Sequence, residues 1–226
     1  MDSHIPLLKR AGAVLVVLGA LDLLVLLYSS LAGLAYASSF HVFAVAAGIG
    51  LLRGSLRAAS LVRWCAAFGL CACGVMLLAW PLMQPVDLTL TQLKLQPRVL
   101  PSIGTTAALL VLLHWLYRTL GAPAVLAARR AAGRKPRHMG VPAASGAGLA
   151  LALCALLSLL LHGEASEHAR QVAQRQFGPD YRYHVAALKV SRSGRGKQVE
   201  GVVTAWNASE IRSIPVAWRE AAGDGR

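Results

Sequence analysis

Five hydrophobic segments fill most of residues 11–161, and the lysines and arginines between them fall almost entirely on alternate sides. A bilayer core needs about 20 apolar helical residues to cross it. Ala11–Ala35 meets that length with Asp22 as its one charged residue. Ser39–Arg53 is short, and it reaches further only because the Arg53 stem can snorkel to the interface. Trp64–Met83, Ile103–Leu120 and Val141–Leu161 complete the set, and the tight link Tyr36–Ser38 makes the first two a hairpin. The expected fold is a membrane all-α bundle of five transmembrane helices, residues 1–162. A small extracytoplasmic α+β domain, residues 163–226, follows it.

Composition agrees. The chain is 56% hydrophobic with a mean hydropathy of +0.53, more than a soluble domain of 226 residues could hide. A net charge of +13 would suggest nucleic acid in a soluble protein. Here the excess sits in short loops between apolar segments, so no nucleic-acid partner is expected and the lipid bilayer is the first partner.

Orientation follows from the basic residues. Lys9, Arg10, Arg53, Arg57, Arg63, Arg129, Arg130, Arg134, Lys135 and Arg137 belong to one side, and only Lys94 and Arg98 to the other. Cytoplasmic loops carry the excess of Lys and Arg, so the N-terminus is expected inside and the C-terminal domain outside. The Ala, Arg, Leu and Gly bias suggests a GC-rich bacterium, which makes the expected location the inner membrane with a periplasmic domain. Ala35-Tyr36-Ala37 also has the form of a signal-peptide cleavage site behind Lys9-Arg10, an alternative that leaves the later topology unchanged.

Cys65, Cys71, Cys73 and Cys154 all lie within predicted spans, which excludes a disulfide framework outside the membrane. Between the third and fourth spans, Val86, Leu88 and Leu90, then Leu93 and Leu95, recur at period two. Two readings follow for Gln84–Pro101: a short strand or hairpin-like segment against the membrane surface, or ordinary loop packing. Small residues at four-residue spacing, Ala144, Gly148 and Ala152 in the last span and Ala46 and Gly50 in the second, predict close helix contacts within the subunit or with a partner membrane protein.

After Gly163 the pattern changes. Glu164–Phe177 reads as an amphipathic helix with Ala165, Ala169, Val172, Ala173 and Phe177 on one stripe, ended by Gly178-Pro179. Tyr181–Val190 alternates through Tyr181, Tyr183, Val185 and Ala187, Val199–Trp206 is a second β-rich run, and Ile214–Trp218 a third. One helix on a three-stranded antiparallel meander is expected, with the Pro215 strand at an edge because proline cannot donate to a ladder. An alanine-rich stripe offers little apolar area, so Trp206 or Trp218 should be buried against Phe177.

No catalytic, cofactor or metal-ligand pattern stands out. His168 and His184 read as solvated surface histidines, and Arg192, Arg195 and Lys197 form a hairpin-tip cluster that could touch anionic headgroups or a partner. Asp22 is the one intramembrane acid, with His114 and Arg118 as candidate partners. Counting rise from the cytoplasmic ends puts Asp22 about 16 Å deep, His114 about 10 Å and Arg118 about 5 Å. A polar clamp between helices and a proton or cation relay both fit that placement. The expected function is an accessory, assembly or interaction component without enzymatic activity. It would pair with another membrane or periplasmic protein or with a second copy of itself. The alternative is a small ion- or proton-coupled transporter using Asp22 and His114.

Overall fold

A computed structural model describes residues 4–33, 40–96, 99–133, 138–161, 163–193 and 196–220. Eight helices and three strands follow one another: α1 Ile5–Leu31, α2 Phe40–Leu52, α3 Leu56–Met83, α4 Val86–Leu95, α5 Val99–Leu120, α6 Pro123–Ala131, α7 Gly140–Leu161 and α8 Glu164–Phe177. The strands are β1 Arg182–Ser193, β2 Gly196–Trp206 and β3 Ile211–Glu220. Among the described residues, four helices are long and apolar enough to cross a membrane, Ile5–Leu31, Leu56–Met83, Leu100–Leu120 and Gly140–Leu161. They point to a membrane protein. The second apolar helix has 13 residues, a rise of about 20 Å, well short of the others.

By internal contact the chain divides into two units, Met1–Ala72 with Ala108–Ala147, and Cys73–Ala107 with Gly148–Arg226. The core of the first unit is built from Leu8, Ala11 and Leu15 of α1, Ala44 and Leu51 of α2, and Ala59, Val62 and Ala66 of α3. Leu116 and Leu120 of α5 and Val125 of α6 close it. The α1 members recur at three- and four-residue spacing, as one face of a helix must.

Glycine sets the distance between α1 and α2. A Cβ at Gly48 would sit 2.9 Å from the Gly12 carbonyl oxygen, and one at Gly12 would sit 2.8 Å from that of Gly48. Backbones this close leave no room for side chains, the geometry that small residues permit in apolar helix pairs. Within the chain, only part of the predicted faces is packed, and the rest is left to the partner-protein alternative. Gly50 does meet Ala58, but Ala46 is exposed. On α7 it is Pro142, Gly146 and Ala150 that are buried, with a Cβ at Gly146 placed 2.3 Å from the Phe68 oxygen. Ala144, Gly148 and Ala152 are exposed. The helix carries two small-residue stripes two positions apart, and the spacing rule cannot choose between them.

Residues 86–95 form helix α4, which overturns the strand or hairpin-like expectation. Pro85 precedes the first turn, Asp87 lies in that turn and Lys94 in the last, both favourable to the helix dipole. Thr91 turns its hydroxyl onto the Asp87 carbonyl at 2.8 Å. Leu88 alone among the five apolar positions is fully buried, so the period-two run reflects composition and not a sheet face. Helix α6 was not anticipated, although Pro123 at its start and Val125 and Arg129 one turn apart carry the signal.

The C-terminal module has the expected architecture. Helix α8 has the predicted bounds, and the sheet order is β1-β2-β3 with both pairs antiparallel. Pro215 does lie on an edge strand. One face of the sheet holds Val185, Val203, Ala205, Ile214 and Val216 against Ala169 and Ala173 of α8. The alternation predicted through Ala187 fails because the β1–β2 register shifts between Val185 and Ala187. The extra residue turns Ala187 outward and brings Leu188 opposite Gly201 on the core side. Gly201 is needed there: a Cβ would lie 2.8 Å from Leu188 Cδ2.

Trp206 is buried and Trp218 half-buried, while Phe177 is 38% exposed and is not among the residues of the helix–sheet core. Trp218 instead packs at the rim of the helix–sheet core with the His168 ring 4.9 Å away. Phe177 is the last residue of its helix, and the chain leaves the stripe at Gly178, whose φ of +84° redirects it.

Replacing Gly48 with valine should lower the thermal midpoint of the full chain in detergent, with a cost of about 1–3 kcal/mol from overpacking. Gly104→Ala, where nothing lies within 4 Å of the added carbon, should leave it equal or raise it. An unchanged midpoint for the valine variant would show that α1 and α2 do not depend on this contact.

Candidate functional site

The connection between β2 and β3 is organised by one side chain. Asn207 Oδ1 accepts hydrogen bonds from the Ser209 amide at 2.9 Å, the Ser209 hydroxyl at 3.0 Å and the Glu210 amide at 2.8 Å. The Asn207 amide donates to the Glu210 carbonyl at 3.0 Å and closes the turn. Glu210 is thereby presented to two partners. Its carboxylate accepts from the Tyr181 hydroxyl, and from Arg212 with a 2.9 Å ion-pair contact. These bonds, from Tyr181 first and then Arg212, hold the Glu210 carboxyl below its usual range against the opposing effect of desolvation. The same hydrogen bond raises Tyr181. Tyr183 donates to the Gly178 carbonyl at 2.7 Å and ties β1 to the end of α8.

Beside this turn lies a cleft of about 360 Å³, lined by Asp87 and Thr91 of α4 with Asp180, Arg182, Trp206, Asn207 and Ala208. The Asp87 carboxylate receives the Arg182 guanidinium and, at 3.4 Å, the Trp206 indole N–H. A buried indole needs such an acceptor. Desolvation pushes the Asp87 carboxyl up, but the Arg182 hydrogen bond, the Asp87 backbone, the Arg182 charge and the indole outweigh it, so Asp87 titrates below its ordinary value. The clasp joins α4 to the sheet. Its polar groups are each other's partners, which suits positioning better than reaction.

A second surface lies on the face of the sheet that α8 does not cover. On the face away from α8, register aligns Ala187, Val202 and Pro215 in one row. All three are exposed, as is Ala217, and they border a shallow groove of about 480 Å³. Toward the Trp206 end the same face is closed, with Thr204 and His184 buried. The solvated-surface reading of His184 is therefore corrected: it sits opposite Thr204 in the register, 9% exposed. His168 is exposed and rests on Trp218.

The predicted intramembrane residues separate by environment. Asp22 is half-buried on α1, while His114 and Arg118 are exposed on α5. Leu112, Leu116 and Leu120 form the packed side of that helix, and residues two positions away lie about 200° around it. Among the hairpin-tip residues, Arg192 and Lys197 pair across β1 and β2, and Arg195 lies outside the described residues, as do the side chains of the other two. Among the described residues no three His, Cys, Asp or Glu side chains assemble in a way that could hold a metal ion. The Asp87 clasp was missed in the sequence because its members stand 95 and 119 residues apart. No spacing rule connects them.

Comparison with protein-family models, curated proteins and solved structures finds no match to this chain.

The two depressed carboxyls fix an acid response. A carboxyl whose folded pKa lies below its unfolded value stabilises the fold fully above that unfolded value, about 4. The stabilisation fades as pH falls through the folded value. The thermal midpoint of the full chain in detergent should therefore drop as pH is lowered below about 4. Asp87→Asn with Glu210→Gln should have a lower midpoint at neutral pH and a shallower acid slope. Identical slopes for the variant and the parent would remove these residues from the acid response.

Proposed function

We propose that this chain is a non-enzymatic protein of a bacterial inner membrane. It spans the bilayer five times with its N-terminus in the cytoplasm and presents residues 163–226 in the periplasm as an interaction or assembly module. The fifth crossing uses residues 39–53, whose described helix α2 is short, with Arg53 extending its reach by snorkelling. Orientation rests on the bias of basic residues already described. The single observation that carries the functional reading is the open row Ala187, Val202 and Pro215 beside the edge strand β3. Small apolar side chains on an uncovered sheet face, bordered by the exposed Lys189 and Glu200, give an apolar centre with a charged rim, a surface suited to a protein partner. The carrier alternative has less support, because His114 and Arg118 are exposed on α5.

A photo-crosslinking residue placed at Val202 or Pro215 in the full chain, in its native membrane, should yield a discrete adduct with another membrane or periplasmic protein or with a second copy. The same residue at Gln171 or Arg175, on the outer side of α8, should not. Equal labelling at all four positions, or none at Val202 and Pro215, would count against this surface.

Topology is tested separately. Alkaline phosphatase joined after Arg226 should be active, and the same enzyme joined after Gly133 should be inactive. The reverse pattern would invert the orientation.

A further inference from the structure

Residues 1–72 and 108–147 contain eleven lysines and arginines, and only Asp2 and Asp22 are acidic. The first unit therefore lacks the carboxylates to neutralise its own cations. Most of these cations sit on exposed positions, including Lys9, Arg10, Arg53, Arg57, Arg118 and Arg130, where solvent serves them. Arg63 differs. It is half-buried, its guanidinium carbon lies 5.0 Å from the centre of the Tyr117 ring, and its Nε is buried without a hydrogen-bond partner among the described residues.

The seat is completed by Gly121. A Cβ there would lie 2.9 Å from Arg63 Nη2 and 3.1 Å from Cζ. The missing side chain is what admits the guanidinium. Tyr117 covers one face of the planar cation, Gly121 lets it pack against backbone, and no carboxylate among the described residues engages it. With Nε buried and Nη2 packed beside Gly121, an oxyanion is met only by the part of this half-buried guanidinium left open, as a charge-assisted contact and not through the whole fork.

The level along the helix identifies the anion. From Arg63 to Met83, α3 rises about 30 Å, the thickness of a hydrocarbon core. Tyr117 and Gly121 sit at the end of the Leu100–Leu120 apolar helix, and Trp64 adjoins Arg63 in sequence. Aromatic residues at this position mark the headgroup layer. We propose that Arg63, seated between Tyr117 and Gly121, binds the phosphodiester of an anionic phospholipid. The inference rests on the reading that the chain spans a bilayer. Retention of the chain in membranes after alkaline carbonate extraction tests that reading by itself.

The site is tested with the full chain reconstituted in phosphatidylcholine vesicles, comparing association of spin-labelled phosphatidylglycerol and spin-labelled phosphatidylcholine by electron spin resonance. The wild type should prefer phosphatidylglycerol by about tenfold, the effect of one charge-assisted hydrogen bond. Arg63→Gln should bring the two lipids toward parity. Gly121→Val should do the same without changing any charge, by displacing the guanidinium, and it carries the test if Arg63→Gln does not fold. Arg130→Gln removes one exposed charge and should keep the preference. Equal association of both lipids with the wild type overturns the proposal. An equal loss in Arg130→Gln also overturns it, in favour of diffuse attraction to the basic end. Loss of the preference in inorganic phosphate, but not in chloride of the same ionic strength, assigns the seat to free phosphate and overturns the lipid source.

Discussion

The four long helices carry far more apolar side chain than the protein itself covers. In their most apolar stretches 22%, 11%, 6% and 11% of residues are buried, so a nonpolar solvent is required for the rest. Within such a solvent every backbone N–H and C=O must be bonded inside its own segment, and a helix is the one isolated element that achieves this. Thr105 and Thr106 follow the same logic, returning their hydroxyls to the Pro101 and Ser102 carbonyls at 2.7 and 3.0 Å. Length, helicity and the segregation of charge to the ends all follow from that one condition.

Because lipid is as apolar as leucine, burial alone gives these helices little reason to associate. Contact must come from close fit, which explains why glycine occupies the points of nearest approach: Gly12 with Gly48, and Gly146 against the Phe68 backbone. Arg63 uses the same device differently, since Gly121 makes room for a cation instead of a helix. In the second unit the cohesive elements are polar and aromatic. Asp87 gathers Arg182 and Trp206, and Glu210 gathers Tyr181 and Arg212. The α8 contribution to the core is largely alanine, so these linkages add definition that a small apolar core supplies weakly.

The sheet face beyond this clasp is left open because α8 packs on the opposite face. An uncovered edge and face on a small module invite a partner, and Pro215 on β3 limits how far another strand could pair along that edge. The functional proposal and the lipid seat share the bilayer-spanning reading but concern different units of the chain, so the sheet face and the Arg63 seat are tested separately.

The sequence by itself determined the elements whose signals are local. Apolar runs of span length gave the long helices, the Gly178-Pro179 stop gave α8 its end, and alternation gave three strands in meander order. Hydrophobic period and turn chemistry act over a few residues, so they can be read there. Tertiary structure alone decided which of two small stripes on α7 is packed. It also made α4 a helix despite a period-two run, and turned Ala187 outward through a bulge. The candidate sites belong to this second group. Asp87 meets Trp206 across 119 residues, and Arg63 meets Tyr117 and Gly121 from another helix. Such meetings depend on how elements dock, and docking is fixed by shape and distance between faces, which residue spacing within one segment does not encode.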